Sequence, residues 1–282
     1  DVIIDAHTHV FAEEQVARRE VICASDPAFA ELYADPKAKL ATATMLLREL
    51  DAADIGRAVT AGFAFADAGQ LAEQNRAILD ASRANPRLIP LATLNPSLPR
   101  WQAVAEHALA DGARGFGELR PHNQGWDPLG VEGRALCSLA REAGAVLLWH
   151  VSEPVGHRYP GKAGGIGPAE LCAVAEAFPG LRMIAAHLGA GLSFFLYMPE
   201  MRTALRDVFF DTAAWRFLYD EGSIAQLVAV AGASRVLFGS DYPLLSPQGE
   251  LQRLRAALPG VAVPSVCGAA AETLFSEPRL ND

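Results

Sequence analysis

The chain has 282 residues, of which 51% are hydrophobic and 20% are charged, and its formal net charge is −9. This composition excludes a largely disordered chain, which would hold fewer apolar residues, and it suits a compact protein with a large core. The sequence has no run rich in lysine and arginine. We therefore expect no nucleic-acid partner, because binding to a phosphate backbone needs a concentrated basic face.

Further features of the sequence bear on its location. The longest uncharged apolar stretch, Ile184–Pro199, contains a histidine and is shorter than the about 20 residues that a membrane-spanning helix needs. No signal-peptide pattern is visible in the first residues, Asp-Val-Ile-Ile-Asp. The cysteines are far apart and form no CxxC pair, which is typical of reduced thiols. We expect a cytoplasmic protein with no membrane partner.

Short apolar runs alternate with longer amphipathic runs along the chain. The apolar runs are typical of strands buried on both faces of a parallel sheet. In chain order they are Val2–Asp5, Arg57–Gly62, Leu88–Leu94, Ala113–Glu118, Ala145–His150, Arg182–His187, Val208–Asp211 and Val236–Ser240. Apolar residues at i, i+3 and i+4 predict the helices between them. These are Thr42–Ile55, Gln70–Ala84, Trp101–Asp111, Glu132–Ala143, Pro168–Phe178, Ser223–Ala231, Glu250–Leu258 and a closing helix, Ser265–Phe275.

This alternation predicts an α/β fold, a (β/α)8 TIM barrel that forms a single domain over residues 1–282. A doubly wound open sheet usually carries a glycine-rich phosphate loop after its first strand, whereas here His-Thr-His follows the first strand. The connection over residues 10–41 is unusually long. We expect it to lie over the active-site face, either as a lid or binding loop or as a surface excursion of short helices.

Polar residues end several of the predicted strands. His7 and His9 are two residues apart, so on an extended chain both imidazoles point the same way and can meet one ion. His150 and His187 end the fifth and sixth predicted strands, and Asp241 follows the eighth. In a barrel these strand ends meet at one face, and burying polar groups without partners is costly. The sequence therefore predicts a metal site at this face.

This set of residues, with the motifs Asp-Ala-His-Thr-His and Gly-Ser-Asp-Tyr-Pro at the two ends of the chain, resembles the amidohydrolase superfamily. The resemblance is strongest to its amidohydrolase-related branch of metal-dependent hydrolases and decarboxylases. It implies that His7, His9 and His150 are metal ligands. It also implies that His187 contacts a second metal or the bound water, and that Asp241 binds metal and accepts a proton from that water. His187 and Asp241 would then be the catalytic residues.

The fourth strand leaves the number of metal ions open. Many members of the superfamily bridge two metals with a carbamylated lysine here, but residues 115–120 contain no lysine. Glu118 is expected either to bind or bridge metal, as a glutamate does in the TatD-like deoxyribonucleases, or to act as a base or substrate contact beside a single metal. We favour a direct metal role. The expected cofactor is one or two divalent ions, zinc first, with manganese or iron as alternatives.

The predicted reaction is hydrolysis of a C–O or C–N bond of the lactone or amide type, because a divalent ion lowers the pKa of bound water from about 15.7 to about 7. One alternative is non-oxidative decarboxylation of an unsaturated or aromatic acid. Another is a barrel that keeps the metal only for structure or binding. The sequence leaves open whether the chain forms a homo-oligomer.

Side chains in the loops after the fourth, fifth and seventh strands are predicted to bind a small carboxylated substrate. Arginine is the best of them for bidentate contact with a carboxylate. The predicted substrate-binding residues are Arg120, His122, His157, Arg158 and Trp215.

Overall fold

The computed structural model describes residues 2–276. Within this range eight parallel strands follow one another in chain order around a nearly closed barrel. They are β1 (Ile4–His9), β2 (Arg57–Ala61), β3 (Leu88–Ala92), β4 (Gly115–Leu119), β5 (Val146–Trp149), β6 (Met183–Ala185), β7 (Val208–Asp211) and β8 (Val236–Leu237). The (β/α)8 barrel predicted from the alternating runs is confirmed.

Helices surround the barrel. The α-helices are α1 (Glu13–Ala17), α2 (Arg19–Ser25), α3 (Pro27–Tyr33), α4 (Ala43–Ala53), α5 (Ala68–Ala84), α6 (Trp101–Ala110), α7 (Pro121–Gln124), α8 (Val131–Glu142), α9 (Pro168–Ala177), α10 (Pro199–Ala204), α11 (Trp215–Leu218), α12 (Gly222–Ala231), α13 (Pro247–Ala257) and α14 (Ala270–Ser276). Shorter 3₁₀ or π-helical segments span His187–Tyr197, Ala233–Arg235, Gly260–Ala262 and Ser265–Ala269. Among these described helices, none is long and apolar enough to cross a membrane.

Backbone hydrogen bonds join β1 to the segment that follows β8. The N–H of Asp241 donates to the carbonyl of His7 at 3.0 Å. The N–H of His9 donates to the carbonyl of Tyr242 at 2.7 Å. Because these bonds alternate along the two segments, the end of β1 and Asp241 lie side by side. The closure of the barrel thereby places polar residues from the two ends of the chain at one point.

Strands β6 and β8 end earlier than their apolar runs predict. The backbone enters the left-handed region two residues after β6, with φ of 58° at His187, and four residues after β8, with φ of 61° at Asp241. A side chain with a Cβ makes this conformation unfavourable, and such residues often occur at functional sites. Both residues line the large cavity at this face of the barrel, so the turns carry them out of the strands and into the site.

The long connection over residues 10–41, between β1 and α4, folds into helices α1, α2 and α3. Phe11 and Phe29 from this segment pack against Phe63 and Phe65, which follow β2. The ring centroids of Phe29 and Phe63 are 5.5 Å apart. Asp26 caps α3 by accepting a hydrogen bond from the backbone N–H of Phe29 at 3.0 Å. The connection is therefore packed onto the barrel through its own aromatic core.

Asn75 on α5 fixes the position of the chain just after β3. Its buried side chain donates to the carbonyl of Thr93 at 2.9 Å and accepts from the backbone N–H of Thr93 at 2.8 Å. These two hydrogen bonds satisfy the backbone N–H and carbonyl groups of Thr93, which is fully buried. A buried backbone N–H or carbonyl group that has no hydrogen-bond partner destabilises the folded state.

We expect Asn75→Ala to lower the free energy of unfolding by about 2 kcal/mol, because both backbone groups of Thr93 lose their partners. Arg76→Ala, at an exposed position of the same helix, is the control and is expected to change stability by less than about 0.5 kcal/mol. Urea denaturation measures both variants. Equal effects of the two substitutions would contradict this account of Asn75.

Candidate metal centre and active-site cavity

Side chains from several strand ends converge into one cluster, made by His7, His9, Glu118, His187 and Asp241. The Nε2 atoms of His7 and His9 are 3.1 Å apart. The Nε2 atom of His9 lies 3.4 Å from Oδ1 of Asp241 and 3.5 Å from Oε2 of Glu118. The Nε2 atom of His187 lies 3.8 Å from Oδ2 of Asp241. Imidazole nitrogens and carboxylate oxygens this close together fit a divalent metal ion.

Opposite charges within the cluster outweigh the effect of burial. Burial lowers the pKa of His7, but the carboxylates of Asp211 and Glu118 outweigh it and raise the pKa to about 10. Burial raises the pKa of Asp241, but the hydrogen bond from His9 and the neighbouring charges lower it to about 2. The pKa of Glu118 also lies well below its usual range, since nearby histidine charges outweigh burial. Both carboxylates are therefore ionised at neutral pH, as metal ligands are.

Asp211, at the end of β7, orients His7. It is fully buried, and its Oδ2 accepts a hydrogen bond from Nδ1 of His7 at 2.7 Å. Its Oδ1 accepts from the backbone N–H of His187 at 2.9 Å. With Nδ1 directed at Asp211, Nε2 of His7 faces the cluster, an arrangement common around metal-binding histidines. Asp211 is absent from the residues predicted for the site, although it ends an apolar run just as His150 does.

His150 lies beside the cluster with both ring nitrogens on protein oxygen atoms. Its Nδ1 is 2.9 Å from Oε1 of Glu118, and its Nε2 is 2.8 Å from the carbonyl oxygen of Gly161. It is not a member of the groups of potential ligand atoms found among residues 2–276. In this geometry His150 holds Glu118 in place. Its role as a metal ligand stays a prediction.

A cavity of about 540 Å³ opens at the cluster. Its volume is typical of sites for small molecules. Cluster residues that line it are His9, Glu118, His187 and Asp241. Apolar and aromatic residues that line it include Leu32, Tyr33, Phe63, Ala64, Tyr159, Phe217, Leu218, Pro243 and Leu244. The cavity thus has the metal-ligand cluster on one part of its wall and apolar side chains that suit an aromatic ring on the rest.

Arg120 and His157 are the predicted substrate-binding residues that line this cavity. Arg120 is buried, with 2% of its surface exposed. Its guanidinium donates to the carbonyls of Gly161 at 3.0 Å and Ala163 at 2.7 Å, and it lies 5.7 Å from the ring centroid of Phe63. These contacts hold the guanidinium at the cavity wall, whereas His157 is exposed.

The other predicted substrate-binding residues lie outside the cavity lining. His122 is exposed and contacts Glu170 at 2.8 Å. Arg158 is exposed, and Trp215 is buried with 1% of its surface exposed. Their places in the sequence put them close to strand ends, but the turn that each loop makes decides where a side chain points. Sequence position alone does not fix that direction.

The cavity also contains residues that the sequence does not single out, among them Tyr33, Lys37, Lys39 and Phe63. The first three come from the connection over residues 10–41. The length of that connection was the sole sequence signal for them, because the helices that orient these side chains depend on packing against the barrel.

Asp211→Asn is expected to weaken binding of Mn²⁺ about 10- to 100-fold, because the amide removes a charge and an acceptor that orient the imidazole of His7. Equilibrium dialysis followed by elemental analysis measures the affinity, and thermal unfolding shows whether the variant remains folded. Asp220→Asn, at an exposed position after α11, is the control. An unchanged affinity in the Asp211 variant would refute the orienting role.

The chain finds no significant match among curated proteins, but solved structures match it over nearly its whole length. The 5-carboxyvanillate decarboxylase of Sphingomonas paucimobilis has a TM-score of 0.80 at 17% identity, covering 98% of this chain and 99% of that chain. The same enzyme from Novosphingobium aromaticivorans DSM 12444, with manganese and 4-hydroxy-3-methoxy-5-nitrobenzoic acid, has a TM-score of 0.77 at 17% identity, with coverage of 98% and 96%. A dihydroxybenzoic acid decarboxylase from Polaromonas sp. JS666, with manganese and the inhibitor 2-nitroresorcinol, has a TM-score of 0.70 at 15% identity, with coverage of 98% and 97%. Identities this low show a shared fold.

The prediction of lactone or amide hydrolysis is wrong. The structures that match the chain are mainly decarboxylases, which favours the alternative reaction. The physical reason for the error is that histidines and carboxylates at the strand ends of a barrel indicate a metal site without specifying which bond breaks. The donor set supports a divalent metal, but the preference for zinc has no specific support, since the two of these structures whose metal is named contain manganese.

Family membership follows from a match to the sequence itself. A family model described as Amidohydrolase matches residues 4–275. The matched region runs from the first residue of β1 into the last turn of α14, and it contains every residue of the metal-ligand cluster. The chain therefore belongs to the amidohydrolase family.

Proposed function

We propose that this protein is a metal-dependent, non-oxidative decarboxylase of a small aromatic carboxylic acid. The observation that carries the proposal is that one cavity joins the metal-ligand cluster, aromatic and aliphatic walls, and the buried guanidinium of Arg120. The walls suit a flat ring, and the guanidinium suits a carboxylate. The ligands in two matching structures, 4-hydroxy-3-methoxy-5-nitrobenzoic acid and 2-nitroresorcinol, are aromatic as well.

The donor atoms favour a single ion. One group of potential ligands is His7, His9 and Asp241, and the other is His7, Glu118 and His187. His7 belongs to both groups, and since its Nδ1 contacts Asp211, its Nε2 is the atom that faces the other members. One nitrogen binds one ion, so the two groups describe overlapping positions. A mixed nitrogen and oxygen donor set accepts manganese as well as zinc, and manganese is our proposal. When bound, the ion supplies Lewis-acid stabilisation of an anionic oxygen on the substrate.

Decarboxylation breaks the bond between the ring carbon and the carboxylate carbon. Carbon dioxide leaves, the electron pair stays on the ring carbon, and that carbon takes up a proton. Asp241 and His187 line the cavity as close neighbours, with 3.8 Å between Oδ2 and Nε2. Nδ1 of His187 lies 3.2 Å from the carbonyl oxygen of Val151, which directs its Nε2 to Asp241. In the proposed mechanism, this pair of residues holds the proton and delivers it to the ring carbon that loses the carboxylate.

Arg120 is the residue that positions the carboxylate. Its guanidinium is already held by two backbone carbonyls and by the ring of Phe63. A side chain ordered before binding loses little further conformational freedom when the ligand arrives. A fixed carboxylate keeps the breaking bond in a constant position relative to the proton-delivering pair, which is the condition for efficient transfer.

The manganese-loaded protein is expected to release carbon dioxide from hydroxybenzoates that carry a hydroxyl group beside the carboxylate, such as 2,6-dihydroxybenzoate, or from 5-carboxyvanillate. In deuterium oxide the product is expected to carry deuterium at the carbon that lost the carboxylate, because the proton comes from solvent through the protein. Carbon dioxide is measured directly, and the product by mass spectrometry. Absence of carbon dioxide release across hydroxylated, methoxylated and unsaturated acids would refute the proposed reaction.

Arg120→Lys is expected to raise KM for the acid at least about tenfold, because a point charge replaces a bidentate donor. Arg158→Lys is the matched control, since Arg158 is an exposed arginine outside the cavity lining. Steady-state kinetics with the best acid from the previous assay measures both variants. Equal KM values for the two variants would show that Arg120 does not bind the carboxylate.

A further inference from the structure

Tyr33 places a hydroxyl group at the cavity that the metal cluster and Arg120 do not account for. It is the last residue of α3 and lines the cavity. Within residues 2–276 its hydroxyl has no hydrogen-bond partner in the protein. The hydroxyl groups of other tyrosines nearby are occupied, since Tyr159 donates to Glu153 at 3.0 Å and Tyr219 donates to Glu153 at 2.7 Å. The Tyr33 hydroxyl is thus free to donate to a ligand.

The ring of Tyr33 is held on several sides by other aromatic rings. Its centroid lies 4.8 Å from that of Phe29, 5.5 Å from that of Phe11 and 6.1 Å from that of Phe63. These contacts fix the direction of the hydroxyl without using its hydrogen-bonding capacity. A donor held in this way is organised before the ligand binds.

Tyr33 and Arg120 share a neighbour, because the guanidinium of Arg120 also packs on Phe63 at 5.7 Å. Burial raises the pKa of the Tyr33 hydroxyl, the negative charge of Asp241 adds to this effect, and the positive charge of Arg120 opposes it. The hydroxyl therefore keeps its proton at neutral pH and acts as a donor. A charged donor and an uncharged donor lie beside the same ring at the cavity wall.

We propose that Tyr33 and Arg120 together bind the carboxylate of the aromatic ligand, with Tyr33 as the donor that makes the cavity select acids over the corresponding phenols. This inference rests on the proposed function, because it takes an aromatic acid as the ligand. It assigns a specificity role to the connection over residues 10–41, which carries Tyr33 into the site. Arg120 provides the positive charge that attracts the carboxylate, and Tyr33 provides a hydrogen bond of fixed direction.

The test compares two ligands that differ only in the carboxylate. They are 2-hydroxy-5-nitrobenzoic acid, in which the hydroxyl lies beside the carboxylate, and 4-nitrophenol, each titrated calorimetrically into the manganese-loaded protein. Tyr33→Phe keeps the ring and removes the hydroxyl. It is expected to raise Kd for the acid about tenfold, as loss of a hydrogen bond to a charged group does, while Kd for the phenol stays within about twofold.

Tyr159→Phe is the matched control, since Tyr159 also lines the cavity but its hydroxyl is bound to Glu153. It is expected to leave the ratio of the two Kd values unchanged. An unchanged Kd for the acid in Tyr33→Phe, or equal weakening of both ligands, would overturn the proposal. If the wild-type protein binds the acid but releases carbon dioxide from no substrate, the proposed reaction fails, and the Kd ratio still decides the role of Tyr33.

Discussion

A carboxylate buried inside a barrel is stable only where hydrogen-bond donors or positive charge meet it, and Asp211 shows how this constraint organises the whole site. It is fully buried at the end of β7. Its oxygens accept from Nδ1 of His7 at 2.7 Å and from the backbone N–H groups of His187 at 2.9 Å and Ala213 at 3.1 Å. One side chain thereby ties β1 to the turn after β6. The position of the His7 ring is set by the core rather than by the cavity.

The remaining members of the cluster depend on this arrangement in turn. His7 places its Nε2 among the carboxylates of Glu118 and Asp241, at 3.8 Å and 3.7 Å. The carboxylates are ionised because the histidines surround them, and the histidines retain their positions because the carboxylates and backbone carbonyls accept from them. A divalent ion would replace the mutual contacts of these groups with bonds to one centre. The strand ends of the barrel thus form the metal centre, and the loops contribute side chains that contact the bound small molecule.

Much of the fold and part of the site were predictable from the sequence, for a geometric reason. Apolar runs of strand length fixed the barrel, and a barrel brings its strand ends together, so His7, His9, His187 and Asp241 were expected to meet. Asp211 follows the same rule. Side-chain direction in the loops was not predictable, because it depends on turns and on packing between distant segments. Tyr33 therefore needs the structure to be found, and Trp215 lies in the core rather than in the cavity.

The choice of reaction was the point at which sequence reasoning failed. The same donor atoms serve an ion that activates water and an ion that steadies an anionic substrate, so the ligand set alone does not separate hydrolysis from decarboxylation. The solved structures that match the chain, which are mainly decarboxylases, are what favours decarboxylation. Arg120 was expected at the site because it follows the fourth strand, but the aromatic residue Tyr33 of the cavity wall comes from a segment that the strand pattern does not describe.

The central claim is that the strand ends form a metal centre, and the most direct test is the metal content of the purified protein. Elemental analysis after dialysis against Mn²⁺ and removal of free ions would compare the wild type with the double variant His7→Ala, Asp241→Ala. The account predicts about one ion per chain in the wild type, as for a single catalytic site, and loss of that ion in the variant. Less than about a tenth of an ion per chain in folded wild-type protein, with zinc and iron tried as well, would contradict it.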